Sequence, residues 1–189
     1  MNAAPQFVFG YGSLAAQGEG CHVARLRGHR RSWGVAMDNR VDLPGYKSYR
    51  LRADGSRPAV FVAFVDVEPD ARCEVTGICM PVDERRLREL DRRERNYDRV
   101  EITSAIGDAA GRVWIYRGSH DGRARLCEAV ACGCAAVSRD YRDAVVGALR
   151  AIATPQEVSD VNRLIAAGGL AVLDLVRVEL DPGPRPAPG

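Results

Sequence analysis

The chain has 189 residues, 46% of them hydrophobic and 28% charged, which is the composition of one globular domain long enough to bury a core. A formal net charge of +2 gives no electrostatic ground for a polyanionic partner, so nucleic acid is not expected. No apolar run has the length of a bilayer span and the start lacks the pattern of a secretory signal, so no membrane partner is expected and a cytoplasmic location is.

The first predicted element is the strand Phe7-Val8-Phe9, which runs into Gly10-Tyr11-Gly12-Ser13-Leu14. Aromatic and β-branched residues suit a buried strand, and the two glycines allow backbone angles or close approaches that a β-carbon blocks. A strand that stops this way leaves backbone N–H groups in a turn, a donor surface for a carboxylate, a phosphate or a developing oxyanion. The same residues also read as a core strand followed by an ordinary loop. Ala15 to Gly20 suggests a loop or short helical turn, Val23 to Met37 a strand, a turn and a second strand, and Asp38 to Gly55 a long turn-rich segment. With Arg40, Tyr46, Lys47 and Tyr49, that segment has the reach to cover a neighbouring pocket as a lid.

Ala59 to Val67 and Cys73 to Met80 read as two apolar, central strands, with Pro81 ending the second. Asp83 opens a helix to about Arg95, Tyr97 to Thr103 alternates as a strand, Asp108 to Gly111 makes a turn and Val113 to Tyr116 forms a further strand. The last third turns helical. Ser138 is placed to cap a helix over Arg139 to Ala151, and Thr154-Pro155-Gln156-Glu157 carries the residues of a capping box with proline at the first helical position. That helix is expected to end near Gly168-Gly169, with Leu170 to Leu180 closing the fold as helix or strand and Asp181 to Gly189 a disordered, proline-rich tail. The expected organisation is one domain over residues 1–180, with a core at 6–120 and a helical extension at 138–180.

Cys127, Cys132 and Cys134 follow a C-x4-C-x-C spacing without the paired C-x2-C knuckles of a zinc site, and His22, His29 and His120 are scattered. A domain of this length without an export signal is expected to keep its thiols reduced, as small, buried and inert side chains, and to hold no metal.

Within the helix from Asp83, Leu87 and Leu90 define the core-facing stripe, and Glu94, two turns after Leu87, falls on the same face. Its arginine neighbours lie mostly elsewhere. An inward carboxylate at a helix C-terminus is pushed toward neutrality by desolvation and by the helix dipole, and so can take and return protons. Helix ends also fray, and Glu94 reads equally as a surface partner for an arginine.

Taken together, Phe9-Gly10-Tyr11-Gly12-Ser13-Leu14 and Leu90-Asp91-Arg92-Arg93-Glu94-Arg95-Asn96-Tyr97 resemble the γ-glutamylcyclotransferase-like (AIG2-like) family, which shows an aromatic-Gly-Tyr-Gly-Ser motif after its first strand and L-D-x-x-E on its main helix. The resemblance runs from about Phe7 to Tyr116. It implies an α+β fold, a small, mostly antiparallel β-barrel with flanking helices, to which this chain adds a C-terminal helical extension absent from the shortest members. It also implies that Tyr11, Gly12, Ser13 and Leu14 bind substrate, that Glu94 is the catalytic acid/base, and that Tyr116 lines the pocket as a looser match. Leu14 stands where one branch of the family has asparagine.

The reaction so implied is metal-free and cofactor-free. The α-amino group of a small γ-glutamyl substrate attacks its own γ-carbonyl, giving 5-oxoproline and an amine. Orienting an intramolecular attack is worth about 7 to 11 kcal/mol, so no serine or cysteine nucleophile is required. The family includes enzymes acting on γ-glutamyl amino acids, γ-glutamyl amines and glutathione. A binding module for small carboxylates and an amide hydrolase remain alternatives for the same pocket.

Overall fold

The computed structural model describes residues 4–15, 18–107 and 109–181. Strand β1 (Gln6–Gly10) is buried from Val8 onward and lies in the middle of the main sheet. On one side it pairs antiparallel with the end of β4 (Phe61–Val82), on the other parallel with β6 (Arg112–Gly118), which pairs antiparallel with β5 (Tyr97–Glu101).

Two segments expected to turn do not. Val23 to Met37 is one strand, β2 (His22–Asp38), and the stretch from Phe61 to Met80 falls within the single β4. The two run antiparallel along nearly their whole length, from His22 opposite Cys79 to Asp38 opposite Phe61. The residues that read as turns face each other across the ladder: Arg30 bonds Glu68 at 2.6 Å, and His29 stands opposite Pro69. They are polar because the middle of the ribbon meets water. The register shifts between Arg27 and His29, where Gly28 at φ +71° supplies the left-handed residue that lets a strand bulge and bend instead of reversing.

Helix α1 (Glu84–Arg93) begins where Asp83 accepts the Arg86 N–H at 2.7 Å. Its Leu87 and Leu90, each 1% exposed, pack on Val8 and Tyr116, so the expected stripe is the one that buries. Each such leucine contributes about 1.5 to 3 kcal/mol. Helix α2 (His120–Ala131), unforeseen in the sequence, is capped by Ser119. Gly122 weakens its helical signal but is required there, because a β-carbon would lie 2.6 Å from the Asn96 carbonyl oxygen.

Strand β7 (Ala135–Ser138) pairs parallel with the start of β4, and β8 (Ala171–Leu173) parallel with β7. Between them lie α3 (Arg139–Arg150) and α4 (Pro155–Ala167), the latter with the complete capping box of Thr154 and Glu157. Ser138 precedes α3 as expected, but its hydroxyl donates to the Leu175 carbonyl and not to the helix. The closing segment is strand: β9 (Leu175–Glu179) pairs antiparallel with β3 (Lys47–Leu51), which forms inside the long segment read as turns.

The α+β class, a central sheet with flanking helices, is thus what the structure shows. The sheet is mixed. Among the described residues its ladder does not close all the way round; the Leu26–Ile106 bridge joins β2 to the β5–β6 connection. No described helix is long and apolar enough to cross a membrane. Cys132 and Cys134 are joined in a disulfide around Gly133 at φ +65°, and Cys127 is exposed, which corrects the expectation of three buried, reduced thiols. Apart from Asp181, the expected proline-rich tail lies outside the described residues, as do positions 16, 17 and 108 in the expected loops.

Candidate active site

The loop after β1 closes back on the strand that leads into it. Ala15 donates its N–H to the Gly12 carbonyl at 2.9 Å, and a β-carbon on Gly10 would lie 2.6 Å from the Leu14 carbonyl oxygen. Neither Gly10 nor Gly12 has a positive φ, so these glycines serve close approach and not a left-handed turn. From behind, Arg31 holds the loop. Its Nε donates to the Tyr11 carbonyl at 3.1 Å and its Nη2 to the Thr76 carbonyl at 2.8 Å. Glu157 of the α4 capping box lies 3.9 Å from Arg31 and also accepts from the Thr76 N–H and hydroxyl. Among the described residues, the backbone N–H groups of Gly12, Ser13 and Leu14 have no acceptor.

Glu94 caps the C-terminus of α1, pinned at both backbone atoms: its N–H donates to Leu90 at 2.8 Å and its carbonyl accepts from Tyr97 at 2.9 Å. The helix end therefore does not fray here. The side chain is 16% exposed and has Arg93 Nε at 3.3 Å, so it points inward and also meets an arginine. Burial raises the carboxyl's pKa, while the positive charges of Arg93, Lys47 and Arg177 pull it partly back.

The loop and Glu94 line one cavity, together with Phe9, Val65, Tyr97, Tyr116 and Tyr141. All the residues expected from the sequence, Tyr11, Gly12, Ser13, Leu14, Glu94 and Tyr116, are in this wall. Two of them differ from a simple picture of free tyrosine donors. The Tyr11 hydroxyl donates to the Tyr116 carbonyl at 2.6 Å and the Tyr116 hydroxyl to Asp91 at 2.7 Å, so both hydroxyls are committed to protein partners. Burial raises both phenols well above their ordinary range.

Tyr97 and Tyr141 went unassigned in the sequence. The Tyr97 hydroxyl donates to the Val65 carbonyl at 2.7 Å. Tyr141, from the second residue pair of α3, brings its hydroxyl beside the Val65 backbone and the Ser13 side chain. An aromatic flanked directly by charged residues, as Tyr141 is by Asp140 and Arg142 at the start of α3, carries no signal of a pocket, so only the fold reveals it.

Ser13, Glu94, Tyr97 and Tyr141 also line a second, outer chamber, whose wall holds Lys47, Tyr49, Phe64, Arg93, Asp140 and Arg177. Of the residues expected to reach over the pocket, Lys47 and Tyr49 do so from β3. Tyr46 is buried, accepting from Asn96 at 3.3 Å, and Arg40 pairs with Asp38 and lies over Phe61. Lys47 lies 4.1 Å from the Phe64 ring, and burial together with Arg177 lowers its pKa to about 8.

The structure is similar to that of YkqA from Bacillus subtilis, with 11% identity and a TM-score of 0.58 over 89% of this chain. The chain spans 56% of the length of YkqA. It is also similar to a gamma-glutamyl cyclotransferase specific to glutathione from yeast, with 14% identity and a TM-score of 0.52 over 85% of this chain and 97% of that one. At these identities the likeness is one of fold. A search of curated proteins gives no match. The family model for gamma-glutamyl cyclotransferase, AIG2-like, matches residues 8–154, a span that holds both the loop and Glu94, and the chain belongs to that family.

Proposed function

We propose that this chain is a γ-glutamyl cyclotransferase that converts a small γ-glutamyl amide into 5-oxoproline and a free amine. The observation that carries the reading is one cavity with the backbone N–H groups of Gly12 to Leu14, unpaired among the described residues, on one wall and the inward carboxyl of Glu94 on another.

In this reading Glu94, as carboxylate, takes a proton from the substrate's α-ammonium. The amine nitrogen then attacks the γ-carbonyl carbon, and the electron pair of the C=O moves onto oxygen. Glu94 returns the proton to the departing nitrogen as the oxyanion collapses and the original C–N bond breaks, and the ring nitrogen, cationic after attack, passes its extra proton by way of Glu94 to the freed amine, which leaves as ammonium beside a neutral lactam. A carboxyl raised by burial suits both halves of this cycle. Among the described residues the inner cavity is lined by no lysine or arginine, so the loop N–H groups, beside the Ser13 and Tyr141 hydroxyls, serve as donors to the substrate's α-carboxylate or to the oxyanion. Tyr11 and Tyr116, their hydroxyls already bonded, serve as walls that fold the glutamyl chain toward its ring-like pose.

The test is 5-oxoproline release by Glu94→Gln. Loss of about 10²- to 10⁴-fold in turnover with the melting transition retained is expected. Wild-type turnover in that variant refutes the role of Glu94, and free glutamate as the wild-type product assigns the site to amide hydrolysis instead.

A further inference from the structure

The outer chamber extends the site past Glu94, and its wall is the β3–β9 ribbon. Arg177, on β9, lies beyond the stretch that the family model matches, whereas Lys47, on β3, lies inside it. Three cationic side chains line the chamber, Lys47, Arg93 and Arg177, against the acids Glu94 and Asp140. Asp140 is occupied by Arg52 Nη2 at 2.6 Å, Arg93 by Glu94, and Arg177 meets Glu179 through Nη2. Lys47 is different. It is partly buried, stacked over Phe64 and Tyr46, and among the described residues its ammonium has neither a hydrogen bond nor an ion pair. A half-buried ammonium without a carboxylate partner is a costly arrangement for a purely structural wall. It is a suitable one for a wall that meets an anion from solution.

The geometry points to a carboxylate subsite for the departing amine, held by Lys47 and Arg177, so that the preferred substrates are γ-glutamyl compounds whose leaving amine bears a carboxylate. This rests on the proposed cyclotransferase reading. If Glu94 serves both nitrogens of the reaction, the glutamyl unit occupies the inner cavity and the leaving group passes Glu94 into the outer one. A leaving amine with a side-chain acid meets Lys47 and Arg177 together; an alkylamine meets neither; a diamine brings a second positive charge against them.

The experiment compares kcat/KM for γ-glutamylglutamate, γ-glutamylalanine, γ-glutamylethylamine and γ-glutamylputrescine in the wild type, Arg177→Gln, Lys47→Met and Lys47→Arg. The expected order for the wild type is the order just given, with about 10-fold or more between γ-glutamylalanine and γ-glutamylethylamine, the size of one partly exposed charge-assisted hydrogen bond. Arg177→Gln and Lys47→Met compress that ratio toward one, and Lys47→Arg restores most of it. An equal loss on all four substrates overturns the proposal, because it places the substrate's own α-carboxylate at these cations. A wild type without preference also overturns it. Absence of 5-oxoproline from every substrate refutes the cyclotransferase reading instead. Calorimetry with γ-glutamylglutamate against γ-glutamylethylamine then decides the subsite: tighter binding of the former, lost in Arg177→Gln, supports it, and equal binding overturns it.

Discussion

Gly10 and Gly12 look interchangeable in the sequence, and the structure predicts that their alanine variants separate sharply. A β-carbon on Gly10 would stand 2.6 Å from the Leu14 carbonyl oxygen, 2.7 Å from its carbon and 3.1 Å from the Ala15 nitrogen, all backbone atoms. Ordinary contact begins at 3.4 Å, so the loop has to retreat by about 0.8 Å, the difference between those distances. Overpacking of this kind costs about 1 to 3 kcal/mol. At about 2 to 4 °C per kcal/mol for a domain of this size, the melting temperature falls by about 2 to 12 °C. The displaced atoms include the N–H donors proposed to meet the substrate, and a misplacement near 1 Å costs on the order of 10²-fold in rate. Gly12→Ala meets the Tyr141 hydroxyl at 3.5 Å and the Val65 Cβ at 3.6 Å, both ordinary contacts. It is expected to melt within about 2 °C of the wild type, a shift in the range of a neutral substitution, and to raise KM by narrowing the cavity. Thermal melts and 5-oxoproline kinetics on the two variants read both effects. Equal melting temperatures would refute the claim that close approach at Gly10 holds the loop.

Glu94→Gln also tests the electrostatics independently of turnover. With its pKa raised in the folded state, Glu94 binds more protons folded than unfolded, so its contribution to stability is present at low pH and is lost as pH rises through the folded value. The variant is therefore expected to melt above the wild type at pH 8, with the gap closing as pH falls toward the ordinary carboxylate range; a gap independent of pH refutes the assignment. Asp66, fully buried, accepts from the N–H groups of Val67 and Gly118 and from Arg123 Nε and Nη2 at 3.0 and 2.8 Å. Asp66→Ala leaves those donors unpaired and is expected to cost about 3 kcal/mol, measured by urea unfolding, the lower end of the range for a broken buried pair because Arg123 is partly exposed; a cost under about 1 kcal/mol would show that water replaces the carboxylate.

How far the sequence carried depended on whether a feature is local. The capping box Thr154-Pro155-Gln156-Glu157 and the Leu87, Leu90 stripe are written within one or two helical turns, and both stand where they were expected. So does the inward face of Glu94. The β2–β4 ribbon was misread because polarity signals water and not direction: Arg30 and Glu68 are polar on a strand that simply leaves the core. Helix α2 was missed because Gly122, a helix-breaking residue by propensity, is needed for a contact with Asn96 that lies far away in sequence. Lys47 was expected over the pocket from its place in a long segment, but Tyr141 and Arg177 reach the site through pairings of distant segments, and no spacing announces them.

The same distinction bears on how the site is built. Its chemical parts, the loop and Glu94, sit in the stretch matched by the family model, but neither is held by that stretch alone. Arg31, which grips the Tyr11 carbonyl, is itself braced by Glu157 from the capping box of α4, just past the matched residues. Glu157 has its pKa lowered by the Thr76 and Thr154 hydrogen bonds, against the opposing pull of burial, so it remains charged beside Arg31 near neutrality. On the other side of the cavity, Arg177 from β9 adds positive charge that favours the ionised form of Glu94. The C-terminal segment therefore acts on both halves of the pocket at once, bracing the Tyr11 loop from behind and biasing the ionisation of Glu94 in front. Chemistry that needs donors and a carboxyl in fixed opposition gains from such bracing, since a loop free to drift forfeits the orientation on which an intramolecular attack depends.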